Sequence, residues 1–402
     1  YLKSLIYNSV AELRFMKISE REVWIDWLRV VALFLVMLTH CCEPFYLGGD
    51  GSQILTHSDA VWVAIFDALP RACVPLFVVA SSYLLFPLRY STNEFFKKRV
   101  VRVFVPFVIW TVAYALASDN IIGTFKDLVF NFNYAAGHLW FVYMLVGLYL
   151  IMPMLSPWAE RVGKRELQVY LGIWLFTTII PLIRVFLGGE APVVIGTSGI
   201  PNIAKFPLWG ECSWNSYGTF YYLSGFVGYM LLGLYFRKFV APMSWCNTLR
   251  VALPSFFIGF AICSLGFLHN VEASANGVYP VGGTVAMAAL WESAWLNDTL
   301  GVALMTIGWI LVLRKLHGDG WIYRKLLLPV SEASYGMYLC HMFLLTMVST
   351  SICQQFGVGV DGCLGLFTTP FEMLSSTIIT FVFVAIICVM VRRVPVAGKY
   401  IM

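Results

Sequence analysis

Long apolar runs separated by short polar segments make up most of this chain. Ten runs can be marked, each close to the roughly 20 residues that a helix needs to cross a membrane. The runs are 24–46, 61–86, 101–118, 138–155, 168–187, 218–236, 250–268, 291–313, 333–352 and 371–391. This pattern predicts an all-α, polytopic membrane protein with about ten transmembrane helices.

The second run contains Pro70 and Pro75 within otherwise apolar sequence. Proline removes a backbone donor and disrupts helical geometry, so we expect this span to be kinked or broken. Asp67 and Arg71 lie four residues apart in the same run, which is a spacing suited to an ion pair within one helix.

Composition leaves no room for a separate soluble domain. Only 12% of the 402 residues are charged, about half the roughly 25% that is usual in soluble domains. We divide the chain into a cytoplasmic segment at 1–22, a transmembrane domain at 23–392 and a cytoplasmic tail at 393–402. Membrane lipids are therefore expected partners, and nucleic acid is not.

The basic residues predict the orientation of the chain. Of the 27 lysines and arginines, 21 lie in the two terminal segments or in the loops after the second, fourth, sixth and eighth spans. With an even number of spans, all of these segments lie on one side of the membrane. Under the positive-inside rule that side is cytoplasmic, as are both termini. Ten cysteines are scattered without metal-binding spacing, so no metal is expected. Cys353 and Cys363 share an outward loop and could form a disulfide if that side is oxidising.

The first apolar run carries ionisable residues at membrane depth, where they are costly and usually functional. Arg29 and His40 lie eleven residues apart, about 16 Å along one helix. Glu43 could share a face with His40 and orient the imidazole as a general base. Alternatively, His40 is a hydrogen-bonded histidine of the bundle and Glu43 an interfacial residue. Asp26 is a candidate for ligand binding, or pairs with Arg29 three residues along.

The sequence FFKKRVVRVFVPF places Arg99 and Arg102 on one helix face at the predicted cytoplasmic entrance to the third span. Two close guanidinium groups can bind a pyrophosphate or phosphate through paired hydrogen bonds. Basic residues are also routine at cytoplasmic helix ends, where they contact lipid headgroups. A ligand role and a purely topological role both remain open on spacing alone.

Two further histidines lie in apolar runs. His138 and Trp140 begin HLWFVYMLVGLYLIMP, near the outer end of the fourth span, and His341 ends SEASYGMYLCH in the ninth. Aromatic residues beside His138 are also typical of the membrane interface. An interfacial role is the simpler account of Trp140, and contact with a substrate is the alternative for His138, Trp140 and His341.

Five motifs in order resemble the acyltransferase-3 family of bacterial integral-membrane O-acyltransferases, which modify cell-surface glycans. They are WIDWLR with Arg29 and His40, PLFVVASSYLLFP, FFKKRVVRVFVPF, HLWFVYMLVGLYLIMP and SYGMYLCH. The chain has Ser81–Ser82–Tyr83 where the family has Ser-Gly-Tyr.

The resemblance implies a multi-pass protein of the bacterial inner membrane that moves an acyl group, most simply acetyl, from cytoplasmic acyl-CoA to a carbohydrate hydroxyl. Acetyl-CoA would be the donor, and a carbohydrate or lipid-linked glycan the acceptor. By that resemblance His40 would be the essential histidine with Arg29 as its companion, and Arg99 and Arg102 would bind the donor. From their positions in the sequence we add Glu43 to the catalytic group and Asp26 to the donor-binding residues. The alternative is a transporter or flippase for a glycan or lipid-linked glycan, with the same polar residues lining a conduit. Two similar halves would favour transport, and no internal repeat is seen.

Overall fold

Helices make up most of the residues that the structure describes, as expected. The computed structural model describes residues 21–48, 51–130, 134–188, 210, 215, 217–283, 285–356, 369–395 and 397–401. The helices are α1 Val23–Cys42, α2 His57–Phe66, α3 Cys73–Leu85, α4 Thr92–Arg99, α5 Val105–Leu116, α6 Ile121–Phe130, α7 Trp140–Arg161, α8 Lys164–Gly188, α9 Phe226–Phe239, α10 Trp245–Ala275, α11 Val285–Glu292, α12 Leu300–Leu313, α13 Leu328–Phe356, α14 Thr369–Arg392 and α15 Ala397–Tyr400. Residues 1–20, most of the predicted cytoplasmic N-terminal segment, lie outside the described residues, as does Cys363 of the possible disulfide.

Within the described residues, seven helical stretches are long and apolar enough to cross a membrane. They are Val23–Phe45, His57–Leu85, Thr92–Leu116, Ala136–Arg161, Lys164–Ile183, Trp245–Ala275 and Thr369–Arg392. A bent pair, Met287–Trp295 with Leu300–Leu313, makes an eighth if it is one span broken by 44°. The chain is therefore a polytopic helical membrane protein. The 14 residues of α9 extend only about 21 Å, less than the roughly 30 Å hydrocarbon core.

The second span is broken, as its prolines predicted. Helix α2 ends at Phe66, a 3₁₀ turn covers Leu69–Ala72, and α3 continues from Cys73. Pro70 occupies the start of this turn, where its missing N–H breaks no helical hydrogen bond. The break places Arg71 in a short irregular segment inside the bundle.

Helix α1 is the central element of the bundle. It packs against α3, α13 and α14, and one side of it is completely buried, including Leu28, Ala32 and Leu33. Its 20 residues extend about 30 Å, the thickness of a hydrocarbon core. One continuous helix therefore carries Asp26 and Arg29 near its start and His40 in its last turn.

A small antiparallel sheet was not anticipated by the all-α prediction. Its strands are β1 Leu47–Gly48, β2 Gly51–Ile54 and β3 Val281–Gly283, with Ser52 paired to Gly283 and Ile54 to Val281. Strands of two to four residues carry too little alternation to be recognised in a sequence. The sheet joins the segment after α1 to the segment before α11, so residues far apart in sequence meet beside His40.

Helices α10 and α12 touch through glycines, and this contact gives a stability prediction. A methyl group on Gly259 would overlap the carbonyl oxygen of Gly301 and lie 2.9 Å from the backbone nitrogen of Met305. We expect Gly259→Ala to lower the free energy of unfolding by about 1–3 kcal/mol, the usual cost of overpacking, measured by denaturant titration in micelles. The exposed Gly147 in α7 has no atom within 4 Å of the same methyl position. Gly147→Ala is the control, and equal losses from the two variants would contradict a close α10–α12 contact.

Candidate functional site

Three histidines from separate helical segments lie side by side. His40 is in the last turn of α1, His138 is in the 3₁₀ segment Tyr134–Leu139 before α7, and His341 is in α13. Their ring centroids are 5.1 Å apart for His40 and His341, 5.0 Å for His138 and His341, and 6.4 Å for His40 and His138. The fold thus gathers three widely separated motifs into one group of imidazoles.

His40 forms a hydrogen-bonded pair with Glu43. The Nδ1 atom of His40 lies 2.8 Å from Oε2 of Glu43, because α1 passes into a 3₁₀ turn, Glu43–Phe45, that begins at this carboxylate. A carboxylate accepts the Nδ1 proton, so the neutral imidazole carries its lone pair on Nε2. With 16% of the His40 side chain and 27% of the Glu43 side chain exposed, the pair is accessible to a bound molecule.

The other two histidines are held by backbone carbonyl groups. His341 Nδ1 lies 2.6 Å from the carbonyl oxygen of Tyr338, and His138 Nε2 lies 3.4 Å from that of Leu339. Carbonyl oxygens only accept, so each contacting nitrogen carries a proton. The Nε2 atom of His341 is buried and has no hydrogen-bond partner among the described residues. Across that same part of the chain, no group of three or more histidine, cysteine, aspartate or glutamate side chains could hold a metal ion.

Aromatic side chains surround this group. Tyr338 donates a hydrogen bond to the carbonyl oxygen of His138, and the ring of Tyr114 lies 5.1 Å from that of His138. Both tyrosines were missed in the sequence, although Tyr338 lies inside the quoted SYGMYLCH motif. Trp140 packs on Phe226 of α9 with ring centroids 6.0 Å apart. In the described part of the chain its only ring contact is with Phe226, and it has no ring contact with His40, His138 or His341 there.

At the other end of α1, Asp26 is the centre of a hydrogen-bond network. Arg21 contacts both of its carboxylate oxygens, at 2.7 and 3.0 Å. The hydroxyl groups of Ser331 and Tyr323 donate to it at 2.5 and 2.8 Å. Burial, followed by the hydrogen bond to Asp26, raises the pKa of Tyr323, which therefore remains a donor. Arg29, the predicted partner, is more distant at 3.8 Å, so Asp26 mainly joins α1 to the segment around the start of α13.

Arg99 and Arg102 do not lie on one regular α-helical face. Residues Val100–Phe104 form a π-helical turn, which changes the angle between the two side chains. Arg102 is exposed and Arg99 half buried, with the Arg99 guanidinium 5.8 Å from the ring of Tyr149. The Nε atom of Arg99 is buried and has no partner among the described residues. Arg29 interacts electrostatically with both Arg99 and Tyr149, so two arginines share this end of α1.

A second polar cluster lies beside His40 and Glu43, and we call it the Arg71 cluster. It consists of Tyr46, Asp67, Arg71, Glu292 and Trp295. The predicted ion pair between Asp67 and Arg71 is confirmed, whereas Tyr46 and Glu292 were overlooked as functional candidates. Glu292 could have been noticed, because it is a carboxylate near the start of the apolar run 291–313. The proximity of Glu292 to Arg71 could not have been predicted, because 221 residues separate the two in sequence.

Comparison with known proteins agrees with the arrangement of these motifs. The sequence profile of the family Acyl_transf_3, described as an acyltransferase domain, matches residues 22–392. No curated protein and no solved structure matches the chain. The matched region covers nearly the whole chain and contains every site residue described above except Arg21. The protein therefore belongs to this acyltransferase family and is a membrane acyltransferase.

Proposed function

We propose that this protein is an O-acyltransferase of the bacterial inner membrane, which moves an acetyl group from cytoplasmic acetyl-CoA to a hydroxyl of a cell-surface or lipid-linked carbohydrate. The observation that carries the proposal is the pair formed by His40 and Glu43, at 2.8 Å. This pair lies at one end of a helix whose other end carries Arg29. A base and a donor-binding cation would thus be about 16 Å apart along one axis.

His40 would act as the general base on the acceptor. Its Nε2 atom accepts the proton of the acceptor hydroxyl while the hydroxyl oxygen attacks the thioester carbonyl carbon. The carbon–sulfur bond then breaks, and the proton on Nε2 passes to the departing thiolate of coenzyme A. Glu43 accepts the Nδ1 hydrogen bond throughout and stabilises the imidazolium that forms transiently.

The donor phosphates would bind at the start of α1. Several other basic residues near this side already contact protein acceptors: Lys238 and Arg237 bind backbone carbonyl groups, and Lys98 pairs with Glu94. Arg99 instead has a buried Nε–H without a partner among the described residues. Arg99 and Arg102 would share the phosphates. Arg29, held by Asp26, would join them at the donor and not act beside His40, because about 16 Å of helix separates the two residues. The pantetheine arm would then extend along α1 toward His40.

His138, Trp140 and His341 would contact the acceptor or the acyl group. The Nε2 atom of His341 has no partner among the described residues. The ring centroid of His341 lies 5.0 Å from that of His138 and 5.1 Å from that of His40. A buried acceptor atom without a partner is costly, and a bound hydroxyl would satisfy it.

Calorimetric titration of the purified protein with acetyl-CoA tests the donor site. We expect saturable binding that weakens at least tenfold, about 1.4 kcal/mol, in the double variant Arg99→Ala/Arg102→Ala. The matched control is Arg161→Ala/Arg165→Ala, which removes the same charge from two exposed arginines and should leave the affinity within twofold. Failure of a folded wild-type protein to bind acetyl-CoA would overturn the acyl-CoA proposal. Equal losses from both double variants would mean that only general surface charge attracts the donor.

A further inference from the structure

The Arg71 cluster is organised around one guanidinium group. Arg71 donates from Nε to the backbone carbonyl of Asp67 at 3.2 Å and from Nη2 to the hydroxyl of Tyr46 at 2.9 Å. Nη2 also pairs with the Asp67 carboxylate and lies 3.5 Å from Oε1 of Glu292. The Tyr46 hydroxyl donates to the same Glu292 oxygen at 2.5 Å. Three elements, namely the turn after α1, the break in the second span and the end of α11, therefore meet at Arg71.

Aromatic packing fixes the orientation of this guanidinium. The Arg71 Cζ atom lies 4.3 Å from the ring centroid of Trp295, and Trp295 stacks on Phe267 at 4.1 Å with 10° between the ring planes. Trp295 and Phe267 are both buried. The indole is thus covered on both faces, so it supports Arg71 and offers no stacking surface of its own.

The cluster nevertheless retains unused hydrogen-bonding atoms. In the described part of the chain, no residue accepts a hydrogen bond from Nη1 of Arg71, and none donates to Oε2 of Glu292. Oδ1 of the completely buried Asp67 also has no partner there. Arg71 is 15% and Glu292 25% exposed at the side chain, so a small molecule can reach them. A charged donor with two N–H groups next to a carboxylate acceptor is suited to neighbouring hydroxyl groups, each of which both donates and accepts.

The cluster is also adjacent to the proposed base. Tyr46 donates its backbone N–H to the carbonyl of Glu43 at 3.1 Å. His40 interacts electrostatically with Asp67 and Arg71, and Glu43 interacts with Arg71. A sugar held by one hydroxyl pair at Arg71 and Glu292 would therefore present another hydroxyl in the neighbourhood of His40.

We propose that Arg71 and Glu292 form a carbohydrate subsite that binds a vicinal hydroxyl pair of the acceptor sugar. Tyr46, Asp67 and Trp295 hold these two groups in position. This assignment deepens the proposed O-acyltransferase function, on which its catalytic meaning rests. It concerns binding alone, however, and it can be tested without knowing the natural acceptor.

Saturation-transfer difference NMR on the protein in nanodiscs tests this subsite. The probes are the methyl glycosides of glucose, galactose, mannose and N-acetylglucosamine, each at millimolar concentration. We expect transfer to at least one glycoside in the wild type, and its reduction at least fivefold in Glu292→Gln and in Arg71→Gln. The matched control is Glu272→Gln, because Glu272 is exposed and pairs only with His57 among the described residues. Its signal should equal that of the wild type.

Acetyl-CoA affinity, measured on the same samples, separates the two proposals. Glu292→Gln should bind acetyl-CoA within twofold of the wild type, which also shows that the variant is folded. Glycoside signals that are absent in the wild type, or unchanged in a folded Glu292→Gln, would overturn the subsite. Signals that depend on Glu292 in a protein that does not bind acetyl-CoA would support the sugar subsite and overturn the acyltransferase donor, leaving glycan transport as the better explanation. Arg71→Gln adds a second test if Glu292→Gln does not fold.

Discussion

Replacing His40 by alanine is expected to lower the rate of acyl transfer by about 10²–10⁴-fold, the usual contribution of a positioned general base. Of the three clustered imidazoles, that of His40 is the one paired with a carboxylate, through Nδ1 and Glu43 at 2.8 Å. Its other nitrogen is the proton acceptor in the proposed reaction. Transfer of radiolabelled acetyl from acetyl-CoA to glycan in membrane vesicles measures the loss. Acetyl-CoA affinity should stay within twofold, because His40 lies far from the proposed phosphate site.

The control for this variant is His57→Ala. His57 lies at the start of α2, its side chain is 59% exposed, and it pairs with the exposed Glu272. Its removal should leave transfer unchanged. Glu43→Gln should fall between wild type and His40→Ala, since the amide oxygen can still accept from Nδ1 but carries no charge. More than a tenth of wild-type transfer in His40→Ala would assign the proton transfer to another group, with His341 and its unpaired Nε2 the first candidate.

The helical architecture and the first helix could be predicted because their signals are local. Apolar run length shows where helices form, and proline pairs show where one breaks. The separation of Arg29 and His40 follows from helix geometry, and both lie in the single helix α1. The ion pair of Asp67 and Arg71 was also predictable, because both partners lie within four residues.

Features that depend on contacts between distant segments could not be predicted. The hydrogen bonds from Ser331 and Tyr323 to Asp26 join residues about 300 positions apart. Neither hydrophobic periodicity nor the spacing of residues in the sequence predicts such a contact. Spacing alone offered Arg29, its neighbour along the helix, as the ion-pair partner of Asp26, with ligand binding as the alternative. The structure shows that Arg21 forms the closer pair. Glu292 was missed for the same reason, because it contacts Arg71 across 221 residues of sequence. The three-stranded sheet is another contact between the segment after α1 and the segment before α11.

The number of spans illustrates a different limit. Hydropathy marks apolar residues but does not show how many of them continue one helix. In run 218–236 the chain forms a 3₁₀ segment, Gly218–Leu223, and then α9, so the apolar length is divided between two conformations. The run that starts at residue 291 begins only at the end of α11, and a bend of 44° separates the helical stretch Met287–Trp295 from α12. Breaks of this kind lie near Tyr46, Arg71 and Glu292, and irregular backbone inside a membrane bundle needs such protein cover.

Replacing Asp26 by alanine is expected to lower the free energy of unfolding by about 3 kcal/mol, the lower end of the range for breaking a buried ion pair. The Asp26 side chain is 2% exposed, whereas Arg21 is 30% exposed and can recover water contacts. The buried hydroxyl of Ser331 would lose the carboxylate as its acceptor, which adds to the loss. Denaturant titration in micelles, followed by tryptophan fluorescence, measures the change.

The matched control is Asp319→Ala. Asp319 accepts a hydrogen bond from Arg324 at 2.7 Å, as Asp26 does from Arg21, but it is exposed to solvent. The hydrogen bond from Arg324 lowers the pKa of Asp319, yet water replaces that contact readily, so the unfolding midpoint should not change. Asp26→Asn should be nearly as destabilising as Asp26→Ala, because an amide NH₂ would face the donor groups of Arg21, Ser331 or Tyr323. A wild-type midpoint in Asp26→Asn would show that the uncharged amide satisfies this network, and the charge of Asp26 would then matter chiefly for holding Arg29 at the donor site.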